Sequence, residues 1–144
     1  MSTKPVAIAS DHAGFELKII LGGEIRALGH EVLDLGTHGP ESVDYPDFGH
    51  AMAEAITSAR VDRGVIICGT GIGISIAANR HGGVRAAVCH DQTSARLARE
   101  HNDANVLALG ARLIGPQVAK DCLGTFLRTA FSEGRHARRV AKLD

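Results

Sequence analysis

The sequence has few aromatic side chains and no excess of charge of either sign. Its 144 residues include no tryptophan, one tyrosine and four phenylalanines. The aromatic platforms on which proteins stack single-stranded nucleic acid are therefore not expected. Sixteen basic residues balance sixteen acidic ones, which argues against a nucleic acid or a membrane surface as a partner. The length predicts a single domain over residues 1–144.

Long hydrophobic runs, paired cysteines and metal-binding spacings are also lacking. No apolar segment approaches the roughly 20 residues of a membrane-spanning helix, and the first residues lack the pattern of a signal peptide. Cys68, Cys89 and Cys122 are far apart and form no C-x-x-C pair, which favours a reducing compartment over a disulfide framework or a structural zinc site. No histidines have H-E-x-x-H or H-x-H spacing. We therefore expect a cytoplasmic protein without a metal or another cofactor.

Short apolar runs alternate with amphipathic segments along the chain. Strands are predicted at residues 5–10, 31–36, 63–68, 83–90 and 104–110. Helices are predicted at residues 13–29, 48–61, 72–80, 91–102 and about 116–131, with a loop at 37–47 and a basic tail at 134–144. Such apolar strands between helices indicate a parallel sheet that is covered on both faces. The sequence thus predicts a three-layer α/β/α fold, in which ligands bind beyond the carboxyl ends of the strands.

A glycine-rich segment, "CGTGIG" at residues 68–73, follows the third predicted strand. Backbone N–H groups in such a turn at a helix start can hold an anion. The same glycines could instead serve a tight strand-to-helix turn, and the local pattern does not separate the two interpretations. No lysine follows, so an ATP-hydrolysing P-loop is not indicated, and the pattern does not fit a dinucleotide fingerprint. Ile74 stands where a cysteine-based phosphatase would need an arginine.

Cys68 gives this turn a possible reactive group. A thiol at a strand end that faces a helix start is favoured as a thiolate by the helix dipole, and it could act as a nucleophile or as a base. Cys89 also ends a strand, but no glycine turn follows it, and Cys122 falls inside a helix. For these two cysteines we expect packing in the core.

Polar residues elsewhere allow both a functional and a structural interpretation. Asp11 and His12 end the first strand and could contact sugar hydroxyls, although Ser10 or Asp11 could simply cap a helix. His101 closes a helix before the turn-rich "NDAN", where a surface histidine is also common. Arg135 and Arg139 lie four residues apart and could share a phosphate, or could belong to a solvated basic tail.

Five blocks of the sequence together resemble one enzyme family. The blocks "ASDHAGFELK", "VLDLGTHGPESVDYPDF", "CGTGIGISIAANR", "GVRAAVCHDQTSARLAREHNDANVLALGAR" and "GRHARRV" are similar to ribose-5-phosphate isomerase type B. That family also includes galactose-6-phosphate and allose-6-phosphate isomerases. The resemblance implies a Rossmann-like parallel sheet of order 2-1-3-5-4 and a metal-free homodimer, sometimes a dimer of dimers. It also implies active sites that residues of both subunits complete.

The resemblance assigns roles to particular residues. Cys68 matches the base that moves a proton between C2 and C1 of the sugar, and His101 matches the residue that opens the furanose ring. The turn with Gly69, Thr70, Gly71, Ile72 and Gly73 matches the site for the enediolate. The other matching positions contact substrate: Asp11, His12, Tyr45, Asn102, Arg112, and the phosphate clamp of Arg135 and Arg139. Some relatives use a glutamate at the position of Ile74 as the base, so the resemblance is to the cysteine type.

The implied reaction is the interconversion of D-ribose 5-phosphate and D-ribulose 5-phosphate through an enediolate. Isomerisation of another aldose 6-phosphate, such as allose or galactose 6-phosphate, is the nearest alternative. A non-catalytic nucleotide- or phosphate-binding module is an alternative of another class, but it leaves Cys68 and the arginines of the tail unexplained. A phosphorylated aldose or ketose is therefore the expected partner.

Overall fold

Five parallel strands form the centre of the computed structural model, which describes residues 3–144. The strands are β1 (Val6–Ser10), β2 (Val32–Asp34), β3 (Gly64–Cys68), β4 (Ala86–Val88) and β5 (Val106–Gly110). They lie in the order β2-β1-β3-β5-β4. Strands β1, β3 and β5 are fully buried, and their sequences are therefore almost continuously apolar. The predicted five-stranded α/β fold is confirmed, and so is the strand order implied by the resemblance.

Helices cover both faces of this sheet. They are α1 (Phe15–Ala27), α2 (Tyr45–Thr57), α3 (Ile72–Ala78), α4 (Gln92–Asn102), α5 (Pro116–Arg128) and α6 (Arg135–Ala141), and a short 3-10 helix at His12–Gly14 precedes α1. One core cluster joins the sheet to α1, α4 and α5, with Phe126 and Leu107 among its buried members. The other joins it to α2 and α3, with Met52 and Ile74 fully buried. No helix within residues 3–144 is long and apolar enough to cross a bilayer.

The observed bounds differ from the predicted ones at the sheet edges and in the tail. The edge strands β2 and β4 have three residues each instead of the predicted six and eight, because an edge strand has hydrogen-bonded neighbours on one side only. Helix α2 begins at Tyr45, inside the segment predicted as a loop. The basic tail forms α6, so that Arg135 and Arg139 are one helical turn apart as their spacing indicates, and α6 packs against α4.

Candidate active site

A pocket of about 390 Å³ opens beyond the carboxyl ends of the strands. It lies at the ends of the neighbouring strands β1 and β3. From β1 the chain continues to β2 on one side, and from β3 it continues to β4 on the other, which makes this the point at which open α/β sheets bind ligands. The pocket gathers most of the residues that the resemblance singles out. Its lining consists of Asp11, His12, Ala13, Tyr45, Cys68, Gly69, Thr70, Ile72, Gly73 and Arg112.

The thiol of Cys68 lies at the base of the glycine turn. Its Sγ atom accepts a hydrogen bond from the backbone N–H of Gly71 at 3.1 Å, and its side chain is almost entirely buried. In the turn, the N–H of Ile72 donates to Thr70 Oγ1 at 3.2 Å. Within residues 3–144 the N–H groups of Gly69 and Thr70 have no hydrogen-bond partner. The turn thus places one backbone donor on the sulfur and leaves the N–H groups of Gly69 and Thr70 available to a ligand.

Two residues that follow β1 form the opposite wall of the pocket. Asp11 is buried, and its Oδ1 accepts a hydrogen bond from the N–H of Gly14 at 3.2 Å. Asp11 is therefore a helix cap, as one of the two interpretations of the sequence had it, and its second oxygen is not used by the cap. His12 Nδ1 accepts a hydrogen bond from the N–H of Val43 at 3.1 Å. This bond fixes the neutral tautomer with the proton on Nε2, so that His12 can donate to a ligand.

Tyr45 and Arg112 approach the glycine turn from either side. The ring of Tyr45, at the start of α2, lies over Gly73, where a Cβ atom would come within 2.5 Å of it. The loop after β5 is tied to the turn by a bond from the Arg112 N–H to the Gly69 carbonyl oxygen at 3.0 Å. The guanidinium of Arg112 borders the pocket on an exposed loop. It supplies positive charge next to the unpaired N–H groups.

The remaining predicted site residues form a second cluster. His101, in the last turn of α4, stacks on His136, with ring centroids 4.4 Å apart and an interplanar angle of 14°. Arg135 and Arg139 lie with His136 on α6. None of these residues lines the pocket of Cys68.

The two clusters lie at opposite ends of the strands, the first at their carboxyl ends and the second at their amino ends. Cys68 is the last residue of β3, at the carboxyl edge, whereas α4 runs back from that edge and ends shortly before β5 begins. Asn102 accordingly lines a different cavity together with Ala86, the first residue of β4. The strands between the two edges span about 13 Å. One chain therefore does not bring Cys68 and His101 together.

The other two cysteines are buried in the core away from both clusters. Both belong to the cluster under α1, α4 and α5. Burial raises the pKa of Cys89. Burial, with the nearby Cys89 and two aspartates, raises the pKa of Cys122 to about 11. These environments suit thiols that pack as small apolar groups.

Comparison with known proteins assigns the chain to a family. The family model described as Ribose/Galactose Isomerase matches residues 6–143. The chain belongs to the Ribose/Galactose Isomerase family. The resemblance stated from the sequence is thereby confirmed.

Several known proteins are similar to this chain over nearly their whole length. A solved ribose-5-phosphate isomerase B from Clostridium thermocellum is 55% identical, with a TM-score of 0.95 over 96% of this chain and 94% of that one. A solved ribose 5-phosphate isomerase from Thermotoga maritima is 51% identical, with a TM-score of 0.95 over 98% and 97%. The ribose-5-phosphate isomerase B of Escherichia coli is 45% identical over 95% of this chain and 92% of the relative.

Sequence reasoning missed two partners of the predicted site residues. The N–H of Val43, which fixes the His12 tautomer, comes from a loop 31 residues away, and no sequence signal marks such a backbone contact. His136 was visible between Arg135 and Arg139 in "GRHARR". Its stacking on His101 requires the packing of α6 on α4, a tertiary contact that the sequence did not predict.

Proposed function

We propose that this chain interconverts D-ribose 5-phosphate and D-ribulose 5-phosphate by proton transfer through an enediolate. The observation that carries the proposal is the position of the Cys68 thiol in the pocket, beside a turn with unpaired backbone N–H groups. The similar proteins named as ribose-5-phosphate isomerases support the choice of sugar. No cofactor takes part in this scheme.

Cys68 acts as the base. Its thiolate removes the proton from C2 of the open-chain aldehyde, and the electron pair moves to the carbonyl oxygen at C1 to form the enediolate. The N–H groups of Gly69 and Thr70 donate to the developing negative charge, where fixed donors are most effective. The same thiol then returns the proton to C1, while the proton of the C2 hydroxyl passes to the C1 oxygen, so that the C2 oxygen becomes the carbonyl of the ketose and the C1 oxygen its hydroxyl. Gly71, Ile72 and Gly73 shape the turn around this oxygen.

The other residues hold the substrate and prepare it. His12 donates through Nε2, and Asp11 accepts from sugar hydroxyls through the oxygen that its cap leaves open. Tyr45 closes the side of the pocket. Arg135 and Arg139 hold the phosphate, with Arg112 as a further cation. His101 acts as the acid or base that opens the ring, and Asn102 lies beside it.

A homodimer makes this scheme possible, with each site completed by the partner subunit. The separation of Cys68 from His101 within one chain supports the proposal. Ile72 and Ile76 support it as well, because these isoleucines lie one turn apart on α3 beside the pocket and are 51% and 58% exposed. An apolar helix face of this kind is typical of a surface that a second copy covers. A dimer of dimers would use further surface, and the cytoplasm is the compartment that fits three free thiols.

The test replaces the base and leaves the pocket intact. Cys68→Ala is expected to lower kcat on ribose 5-phosphate by roughly 10³-fold or more, with substrate binding retained, because only the proton transfer is removed. Cys122→Ala, in the core, is the matched control and should keep wild-type kcat. Normal isomerisation by Cys68→Ala would refute the assignment. Wild-type assays on ribose, allose and galactose phosphates, side by side, test the choice of sugar against the aldose 6-phosphate alternative.

A further inference from the structure

The histidine pair at the second cluster has an arrangement that the proposed chemistry does not yet explain. The rings of His101 and His136 lie nearly parallel at 4.4 Å. Within the part of the chain that the structure describes, neither ring makes a hydrogen bond. His101 is exposed, so the stack is the contact that fixes the plane of its ring.

Uncompensated positive charge surrounds this stack. Arg135 and Arg139 flank His136 on α6, and in residues 3–144 no carboxylate lies within ion-pair distance of either guanidinium. The acidic side chains on the facing helix are already engaged: Glu100 pairs with Arg96 at 2.7 Å, and Asp103 at the helix end is held by Arg99 and Arg85. Of the other charged residues of this segment, Glu133 precedes α6, Arg138 lies on it, and Lys142 and Asp144 follow it, with Asp144 paired with Arg85 at 3.5 Å.

This charge acts on the proton affinity of His136. The pKa of His136 lies below its ordinary value, because desolvation disfavours the charged ring and because His101, Arg135 and Arg139 add positive charge around it. Two protonated rings at stacking distance would also repel each other. A dianion bound by the arginines would offset their charge and raise the proton affinity of the rings.

We propose that His136 is a positioning residue that orients the His101 ring and, when a phosphate dianion binds to Arg135 and Arg139, lets the stacked pair take up a proton from solvent. This inference rests on the proposed function, in which His101 opens the sugar ring. A proton that arrives with the phosphate populates the acid form of the pair only when substrate is bound. Ring opening, in which an acid protonates the ring oxygen of the furanose, is thereby restricted to the loaded site.

Sulfate is the probe for this linkage between anion binding and proton uptake. It remains a dianion from pH 5 to 9, so any proton that is taken up on binding goes to the protein. Calorimetric titration of the full chain with sulfate, in buffers of different ionisation enthalpy, reports the protons bound per sulfate. The wild type is expected to take up a fraction of a proton, roughly 0.3–0.7, near pH 6.5. Its affinity for sulfate should rise by up to about tenfold as the pH falls from 8 to 5.5, if phosphate-type binding raises the pair's pKa by about one unit.

Three variants assign the effect to residues. His136→Phe keeps a stacking ring that cannot titrate, and it should lose most of the proton uptake and of the pH dependence. Arg139→Gln should weaken sulfate binding itself, whereas Arg138→Gln, on the same helix, should bind sulfate as the wild type does. If His136→Phe does not fold, His136→Gln replaces it. Sulfate binding without proton uptake, wild-type uptake in the His136 variant, or unchanged binding in Arg139→Gln would each overturn the inference.

Isomerase assays separate this inference from the proposed function. An active wild type without proton uptake would refute only the linkage. Proton uptake in a protein that isomerises none of the sugar phosphates would leave the linkage standing and refute the proposed reaction. In an active enzyme, His136→Phe should shift the pH profile of kcat/KM, which a merely structural residue would not do.

Discussion

At the scale of single residues, one backbone torsion allows the glycine turn to bring its N–H groups to the thiol. Gly71 has a φ of +78°, and a Cβ at this position would lie 2.9 Å from the carbonyl carbon of Leu109. An L side chain is therefore disfavoured both by the left-handed conformation and by contact with β5. The Gly71 N–H that reaches Cys68 Sγ depends on this residue remaining a glycine.

Gly71→Ala should destabilise the fold and inactivate the pocket. We expect a loss of about 2 kcal/mol or more in the free energy of unfolding, from the torsion and the contact together. Urea unfolding and the isomerase assay measure the two effects. Gly82→Ala is the matched control, because Gly82 has no positive φ and open space around its Cα. It should leave stability unchanged or raise it slightly, and an equal loss in both variants would contradict the explanation.

The residue scale also shows what the sequence could and could not predict. The glycine pattern of "CGTGIG" and the strand before it were sufficient to place Cys68 at a strand end beside a glycine turn at a helix start, but they did not decide between an anion site and a packing turn. The tautomer of His12 was not predictable, because its partner Val43 meets it only after the loop before α2 has folded over β1. The local sequence pattern identifies candidate site residues such as Cys68 and His12. Which ring nitrogen of His12 carries the proton is decided by a backbone contact from a distant part of the chain.

At the scale of elements, a buried lysine joins α1 to the end of β2. Lys18 Nζ donates to both carboxylate oxygens of Asp34 at 2.7 Å, and the lysine side chain is only 3% exposed. Asp34 Oδ1 also accepts from the N–H of Gly36 at 2.9 Å, and Gly36 in turn binds the backbone of Ser10 at the end of β1. The pair thereby supports the strand end from which Asp11 and His12 extend.

The pair makes part of the stability dependent on pH. Burial alone would raise the pKa of Asp34, but hydrogen bonds from Lys18 and Gly36 and the charges of Lys18 and His38 outweigh it and lower that pKa from 3.8. A carboxyl group with a depressed pKa stabilises the fold above its unfolded pKa, and this contribution is lost as pH falls through the folded value. The contribution of Asp34 is therefore full at neutral pH, begins to fall near pH 3.8 and is lost as pH falls through the lower folded value.

Asp34→Asn should accordingly destabilise the protein at pH 7 and much less in acid. We expect a loss of roughly 1–2 kcal/mol at pH 7, since the buried ammonium of Lys18 loses its charged partner while the half-exposed carboxylate is partly screened by solvent. Urea unfolding from pH 7 down to the most acidic pH at which the wild type folds measures the difference. Glu100→Gln, in the exposed Arg96–Glu100 pair, should change stability by less than about 0.5 kcal/mol. A constant loss for Asp34→Asn at every pH would contradict this account.

Helix α6 shows the limit of sequence reasoning at the scale of elements. Its seven residues, "RHARRVA", contain a single large apolar side chain, so no hydrophobic period indicates a helix. The segment becomes helical where it packs against α4, which is a tertiary contact. The long helices and the buried strands could be predicted, because their apolar faces are continuous in the sequence.

At the scale of the whole molecule, the fold places the two halves of the proposed chemistry at opposite edges of one sheet. Parallel strands send every βα loop to the carboxyl edge, where Cys68 lies, and every helix end back to the amino edge, where His101 lies. No rearrangement of side chains closes that gap. A second copy, related by a two-fold axis, can present its His101 cluster to the Cys68 pocket of the first.

Mixing two inactive variants tests this arrangement. Cys68→Ala and His101→Asn homodimers should each be nearly inactive, because every site in them lacks one group. After the two are unfolded together and refolded in equal amounts, half of the dimers are mixed, and each mixed dimer has one site with both groups intact. About a quarter of wild-type activity should return, as a coupled isomerase assay would measure. Mixing Cys68→Ala with a Cys68→Ser variant provides the control, since no intact site can form. If the first mixture stays as inactive as this control, the two residues act within one chain or not at all, and the shared site is refuted.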